Sequence, residues 1–291
     1  MKTAEYLLAR VALALFRHLP LSAARAIGVA LSGPLWWLLA QPRRACLRNI
    51  RSSFPEWDEA KVHAVGREVY RHLGRCLGEA LGLSRLTREW VEENVQFVGE
   101  DAAVDRALAS GRGVVMVVSH FGNWELHGAS WALKGRPVAA VAFEQSNRKV
   151  DALVRENREA SGMRVVYTGH KGTVALLDHL REGKIVAILA DQNAGKDGLR
   201  LPFFKRDCSV AKAPAVLARK TGAALIPAFL VREKDGTFTN HTLPEIPIVK
   251  TDDVAADIEA VTRAWLQVQE DFIRRYPEQY FWVHRRWKHY E

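Results

Sequence analysis

The sequence predicts an α/β fold: a central, mostly parallel mixed sheet flanked by helices, with hydrophobic, membrane-associating helices at the N-terminus. Three observations carry that reading. VVMVV at 114–118, VAAVAF at 138–143 and IVAILA at 185–190 are short apolar runs of the kind found in strands buried on both faces. Helical patterns alternate with them across short turns, which favours parallel strands joined by crossover helices. A chain of 291 residues, 48% of them hydrophobic, has enough apolar material for one sizeable core.

The N-terminal fifty residues carry seven Lys and Arg against a single acidic residue, Glu5. Leu7–Phe16 is apolar apart from Arg10, and Ala26–Pro42, AIGVALSGPLWWLLAQP, carries no charge. Trp36-Trp37 followed by Arg43-Arg44 suits a segment lying in, or dipping into, an anionic membrane face. Its length approaches that of a single span, but Gly33-Pro34 interrupts it. Residues 1–45 are therefore expected to form a membrane-associating segment and 46–291 the main domain. Spread basic residues and the lack of a small-residue cleavage site argue against a cleaved signal peptide.

Further along, Asp58 is expected to cap a helix whose face carries Val62, Val65, Val69, Leu73 and Leu77, thinned by Gly74 and Gly78 for close packing. Trp90–Phe97 reads as a short strand and Asp101–Ala109 as a helix. The strand at 114–118 ends in Ser119 and is followed by HFGNWE. Gly122 supplies a bend there, and Asn123 is expected to cap a helix starting at Trp124. Val150–Ser161, Thr173–Leu180, Pro214–Thr221 and Asp257–Tyr276 read as helices; Met163–Tyr167 and Ala223–Val231 read as strands. Phe238–Leu243 and Ile246–Val249 are expected to be edge segments. Residues 192–213 read as the longest irregular stretch, with five Lys and Arg among Leu201, Phe203 and Phe204.

In open α/β sheets chemistry gathers beyond the carboxyl ends of the strands. That edge carries His120, Glu144 and Asp191, with Arg148 four residues past Glu144. His120 followed by Glu125 makes a candidate acid/base pair, because a catalytic imidazole needs an orienting partner. The loop residues Lys196, Arg200, Phe203 and Phe204 are expected to line a pocket for an anionic head group and an apolar tail; equally, the phenylalanines can pin a surface excursion to the core.

The formal net charge of +9 and pI near 9.6 favour anionic partners. The basic residues form no nucleic-acid recognition module, and the most basic region is also the most hydrophobic, so no nucleic acid is expected. Cys46, Cys76 and Cys208 have neither disulfide nor metal spacing and suit a reducing compartment. The chain has no G-x-S-x-G elbow, no phosphate-binding loop and no H-E-x-x-H site. A hydrolase using the same dyad, or a membrane-binding protein without turnover, is the competing class.

HFGNWE resembles the H-x4-D/E motif of glycerolipid acyltransferases, with Glu125 where the wider superfamily more often has Asp. More narrowly, HFGNWE, SNRKVDALV, ILADQNAGKDGLRLPFF, TGAALIPAF and FWVHRRWK, in that order, resemble the late (secondary) acyltransferases of bacterial lipid A biosynthesis, of lauroyl/myristoyl type. The resemblance runs from about Ala26 to Lys288. It implies residence on the cytoplasmic face of the inner membrane, peripheral or through a single N-terminal anchor. It implies an acyl-carrier-protein thioester donor, or acyl-CoA as in related phosphatidylinositol mannoside acyltransferases, and a lipid A precursor acceptor, with no cofactor and no metal. In that chemistry His120 is the general base and Glu125 its partner. Backbone N–H groups near Gly122 and Asn123, or Arg148, are then the candidates to stabilise the oxyanion.

Overall fold

The computed structural model describes residues 2–288. Three helices open the chain, α1 (Lys2–Phe16), α2 (Leu21–Leu38) and α3 (Ala40–Ser53), and a long α4 (Glu59–Leu81) follows. Next come α5 (Arg88–Asn94), β1 (Val95–Gly99), α6 (Asp101–Ala109), β2 (Val114–Val118), α7 (Trp124–Leu133) and β3 (Val138–Ala142). α8 (Arg148–Glu159), β4 (Arg164–Tyr167), α9 (His170–Arg181) and β5 (Ile185–Leu189) continue the alternation. β6 (Leu199–Phe203), β7 (Arg206–Val210), α10 (Ala213–Thr221), β8 (Ala224–Arg232), β9 (Phe238–Thr242) and α11 (Val254–Arg275) complete it.

Seven strands form the main sheet in the order β1-β9-β8-β2-β5-β3-β4. β8, β2, β5, β3 and β4 are mutually parallel, whereas β9 is antiparallel to β8 and parallel to β1. The predicted mostly parallel mixed sheet is the one observed. Its central strands are covered on both sides, which is why they read as unbroken apolar runs. Val115, Val117 and Val186 face one cluster with Trp265 and Phe272; Met116, Val118 and Ile185 face another with Trp131 and Met163.

Some local readings change. Trp90–Phe97 is divided between α5 and β1: Thr87 caps the helix by accepting from the Trp90 N–H at 3.2 Å. Asp58 caps α4 as expected, but Leu77 is half exposed. Near its C-terminus α4 instead buries His72, Cys76 and Glu79, because it packs there on a polar junction. Ile246–Val249 is not a strand.

Residues 192–213 are far from irregular. A 3-10 turn at Gly195–Asp197 leads into the antiparallel hairpin β6–β7. Its two-residue turn, Phe204-Lys205, has φ of 49° and 59°, a geometry that tight hairpins usually give to Asn or Gly. The Phe204 N–H donates to Glu270 at 2.7 Å, and its ring packs against Phe54, Trp282 and the Arg274 guanidinium, which offsets the left-handed backbone.

α2 lies against α4 with almost no side-chain spacer. A Cβ on Gly28 would sit 1.9 Å from the Gly74 carbonyl oxygen, and one on Gly78 would sit 2.3 Å from that of Ala24. Gly74 and Gly78 thus serve the close packing the sequence suggests. α2 and α3 meet at 93°; no single described helix is long and apolar enough to cross a membrane, although this bent pair is by length and composition. Leu7, Leu8, Val11 and Leu15 of α1 and Trp37 and Leu38 of α2 are exposed.

Candidate active site

β2 and β5 are neighbours, with Val118 opposite Leu189. Each chain runs two residues further, and His120 and Asp191 therefore arrive side by side. His120 Nδ1 lies 2.8 Å from Asp191 Oδ1, and the His120 backbone N–H donates to Oδ2 at 3.0 Å. With the Nδ1 proton directed at the carboxylate, Nε2 carries the lone pair. The Gln192 amide nitrogen is 3.4 Å from it. Trp124 and Phe281 flank the ring, with centroids 5.1 and 5.7 Å away.

Burial alone lowers the His120 pKa, but the charge and hydrogen bond of Asp191 outweigh it, with help from Glu125, and the net shift is upward. Burial likewise raises the Asp191 pKa, yet the His120 charge and hydrogen bond, then Arg286, bring it below the ordinary carboxylate range. The pair is thus arranged to hold an imidazolium next to a carboxylate.

Glu125 lies in the first turn of α7, where negative charge is favourable. The hydrogen bond expected between it and His120 is not made: its Oε1 and Oε2 accept from Arg158 Nη2 and Nε at 2.5 and 2.7 Å, and Asp191 takes the orienting contact. Arg158, near the end of α8, was not singled out by the sequence. Arg148, the arginine expected here, starts the same helix and is exposed. Ten residues of helix place the two about 15 Å apart, so only Arg158 reaches the cavity wall.

Gly122 and Asn123 hold the loop together. Gly122 has φ 56°, and a Cβ there would lie 1.6 Å from the Leu230 carbonyl oxygen, so only glycine fits. Its N–H donates to the Gln279 carbonyl at 2.9 Å and is thereby withdrawn from the oxyanion role considered for it. The Gly122 carbonyl accepts from Cys76 Sγ at 3.3 Å and stands 3.0 Å from His72 Nε2. Burial holds the His72 pKa down at about 4 and pushes the Cys76 thiol up to about 12. Asn123 caps α7 through Leu126 N–H at 3.1 Å and donates to Glu79 at 2.6 Å. Glu79 in turn pairs with Arg232 and Arg25, so a buried ion cluster braces the motif against α2, α4 and β8.

Behind His120 runs a cavity of about 350 Å3 between α7 and the sheet, with Glu125, Arg158 and Gln192 in its walls. Its deeper lining includes Met116, Gly128, Trp131, Val138, Ala140 and Met163. The alanines and Gly128 leave the space, and a Cβ at Gly128 would lie 2.7 Å from Met163 Sδ. From the His120 end to Val138 the cavity follows the five residues of β3, about 13 Å at the usual strand rise. Apolar walls with a few polar groups at one end suit an amphiphilic or acyl ligand.

The other predicted residues lie apart. Glu144 is exposed and borders a shallower cleft with Thr168 and Lys171. Lys196 is exposed, and Arg200 pairs with Asp207 across the hairpin at 2.6 Å. Phe203 and Phe204 are core residues packed on Trp287 and Trp282, outside the cavity lining. The C-terminal segment packs over the site as well. Phe281 N–H donates to the His120 carbonyl at 3.0 Å, and the buried Arg286 donates to the carbonyls of Gln192 and Ser209 at 2.6 and 2.7 Å. Among the described residues no group of three or more His, Cys, Asp and Glu is placed to hold a metal ion.

Residues 2–289 match the family model described as bacterial lipid A biosynthesis acyltransferase. The chain is 28% identical over 250 residues to the lipid A biosynthesis palmitoleoyltransferase of Escherichia coli (strain K12), covering 83% of this chain and 77% of that protein. The lipid A biosynthesis lauroyltransferase of the same strain is 27% identical over 250 residues, with the same coverage. The phosphatidylinositol mannoside acyltransferase of Mycolicibacterium smegmatis is 29% identical over 184 residues, 62% of this chain and 59% of that protein.

Proposed function

The chain belongs to the bacterial lipid A biosynthesis acyltransferase family and is an acyltransferase, and we propose that it moves a fatty acyl chain from an acyl-carrier-protein thioester to the hydroxyl of a 3-hydroxyacyl chain on a lipid A precursor. The observation that supports this best is the His120–Asp191 pair at the head of an apolar cavity. The acyl tail occupies the cavity and its thioester carbon rests near Nε2.

An alcohol is a poor nucleophile until its proton leaves. His120 Nε2 takes that proton as the oxygen attacks the thioester carbon, and Asp191 holds the tautomer and stabilises the imidazolium. The tetrahedral oxyanion develops beside Arg158, which Glu125 fixes in place. The intermediate collapses with cleavage of the C–S bond, and the imidazolium returns its proton to the departing thiolate. The covalent change is then one ester formed and one thioester broken, with no acyl-enzyme.

In this reading residues 1–45 form the membrane-associating segment and the rest the acyltransferase domain. The exposed leucines of α1 and α2, with Trp37, enter the cytoplasmic face of an anionic inner membrane. The deciding experiment incubates purified protein with acyl-carrier and CoA thioesters and with acceptor lipids, and identifies products by mass spectrometry. Ester on a lipid A precursor, with little free acid, is the expected result; free acid regardless of acceptor would make it a hydrolase. The mycobacterial relative supports a second reading, a glycolipid acyltransferase; with acyl-CoA as its donor, this would show as acylated mannoside and a CoA preference.

A further inference from the structure

Two clefts flank the seam between α2 and α4, and His120 and its cavity use neither. One, of about 250 Å3, is lined by Trp36, Trp37, Arg67, Tyr70 and Arg71. The other, also about 250 Å3, is walled by Leu31, Leu35, Leu39, Leu73 and Leu77. They meet at Ser32 and Tyr70, which line both.

The first cleft is cationic. Among the described residues Arg67, which is exposed, has no acidic partner, and Arg71 has only Glu68, at 3.3 Å, which it shares with Arg75. Arg43, outside the cleft lining, donates to the Trp36 carbonyl at 3.0 Å and sets its guanidinium over the Trp37 ring at 5.3 Å. Tyr70 is 94% buried, its relative exposure being 6%, and its hydroxyl has no hydrogen-bond partner among the described residues. A buried hydroxyl left unpaired is costly, so this one is a donor in want of an acceptor. Burial pushes its pKa up to about 12, which keeps the proton in place.

The second cleft has the opposite character. Leu31, Leu39 and Leu77 are 49%, 42% and 50% exposed, leaving a groove of large aliphatic side chains without cover. Positive charge and a free hydroxyl on one side of Tyr70, with an apolar trough on the other, match an amphiphile with an anionic head. Inorganic phosphate would leave the trough empty, and a hydrocarbon would leave the arginines unmatched.

We propose that the α2–α4 seam binds one anionic glycerophospholipid of the bilayer, with its phosphate at Arg67, Arg71 and the Tyr70 hydroxyl and an acyl chain in the Leu31–Leu77 groove. The inference rests on the membrane residence proposed above and is independent of the reaction. The bound lipid would fix the seam at headgroup depth, by a defined site in addition to diffuse attraction.

The test is native mass spectrometry of the full chain in a non-ionic detergent, titrated separately with dioleoyl phosphatidylglycerol and dioleoyl phosphatidylcholine. We expect a single saturable site that prefers phosphatidylglycerol by about tenfold, the scale of one charge-assisted contact. The exposed pair Arg67→Gln/Arg71→Gln should lose that preference without unfolding. Tyr70→Phe, which removes a donor to the phosphate that both lipids carry, and Leu77→Asn, which disrupts the trough, should each weaken both lipids. Equal binding of the two lipids by the parent, unchanged binding in the arginine double variant, or displacement by inorganic phosphate at millimolar levels would overturn the proposal. Vesicle flotation of the parent, run alongside, reports membrane residence separately: flotation without a saturable site defeats the lipid site alone.

Discussion

The Nδ1 atom of His120 and the Oδ1 atom of Asp191 lie 2.8 Å apart, although 71 residues separate them in the chain. Parallel pairing of β2 with β5 makes them neighbours, and the second Asp191 oxygen, bound to the His120 backbone N–H, fixes the carboxylate plane. His120→Ala should lower kcat by about 10²–10⁴, the usual value of a positioned acid/base group, with an unchanged thermal melt. Substantial turnover in a folded His120→Ala protein would remove His120 from the chemistry.

Asp191 should set the pH profile. In the proposed reaction His120 acts as neutral imidazole, and Asp191 raises its pKa above the ordinary value, so the rate should climb with pH through that raised value. In Asp191→Asn the lowering effect of burial is left less opposed. The acid limb of kcat/KM should move to lower pH while the plateau falls by about 10²-fold or more. An unshifted limb would show that Asp191 does not act on His120.

Glu125 and Arg158 should behave as one unit. Glu125→Gln and Arg158→Gln are each expected to cut kcat strongly, and the double variant should be little worse than either, because each single change already breaks the pair. Glu125→Asp should retain more activity than Glu125→Gln if the shorter carboxylate still reaches the guanidinium. Additive losses in the double variant would separate their roles.

Acyl-chain preference should follow the deep wall of the cavity. Gly128→Ala sets a methyl against Met163 and should favour shorter donors; Met163→Ala should open the same wall to longer ones. Competition among thioesters of different length reads both, with a melt as control, since a buried Met→Ala change costs about 2–5 kcal/mol. No change in ranking in either variant would place the acyl chain elsewhere.

Glu79 is a stability residue by its surroundings. It is 1% exposed and offsets Arg232 and, in part, Arg25. Glu79→Ala leaves buried guanidinium charge uncompensated, at a cost of about 3–5 kcal/mol. The Tm should fall by several degrees, and activity with it, because Asn123 loses its brace.

Much of this was legible in the sequence because it is local. Apolar β-branched runs give the strands, Asn123 before Trp124 gives a cap, and the chemistry gathers where β2 and β5 end. What stayed hidden depends on strand order. His120 has a carboxylate five residues away in sequence and another beyond β5, and only the adjacency of β2 and β5 decides for Asp191. Arg158 lacked any signal because α8 carries several basic residues and nothing local says which one faces the sheet. Phe203 and Phe204, set among basic residues, read equally well as a pocket rim; the Trp282 and Trp287 rings that bury them come from the far end of the chain.

The closure of the site by residues 279–286 also orders events in time. Gly122 leans on Gln279, His120 on Phe281, and the Asp191-Gln192 turn on Arg286. His120 leaves the ribosome before these partners are made, since chains grow from the N-terminus at about 5–20 residues per second. A nascent chain can thus settle its first three helices and most of its sheet while the site still lacks one wall, and the pocket closes only once residues 279–286 have joined it.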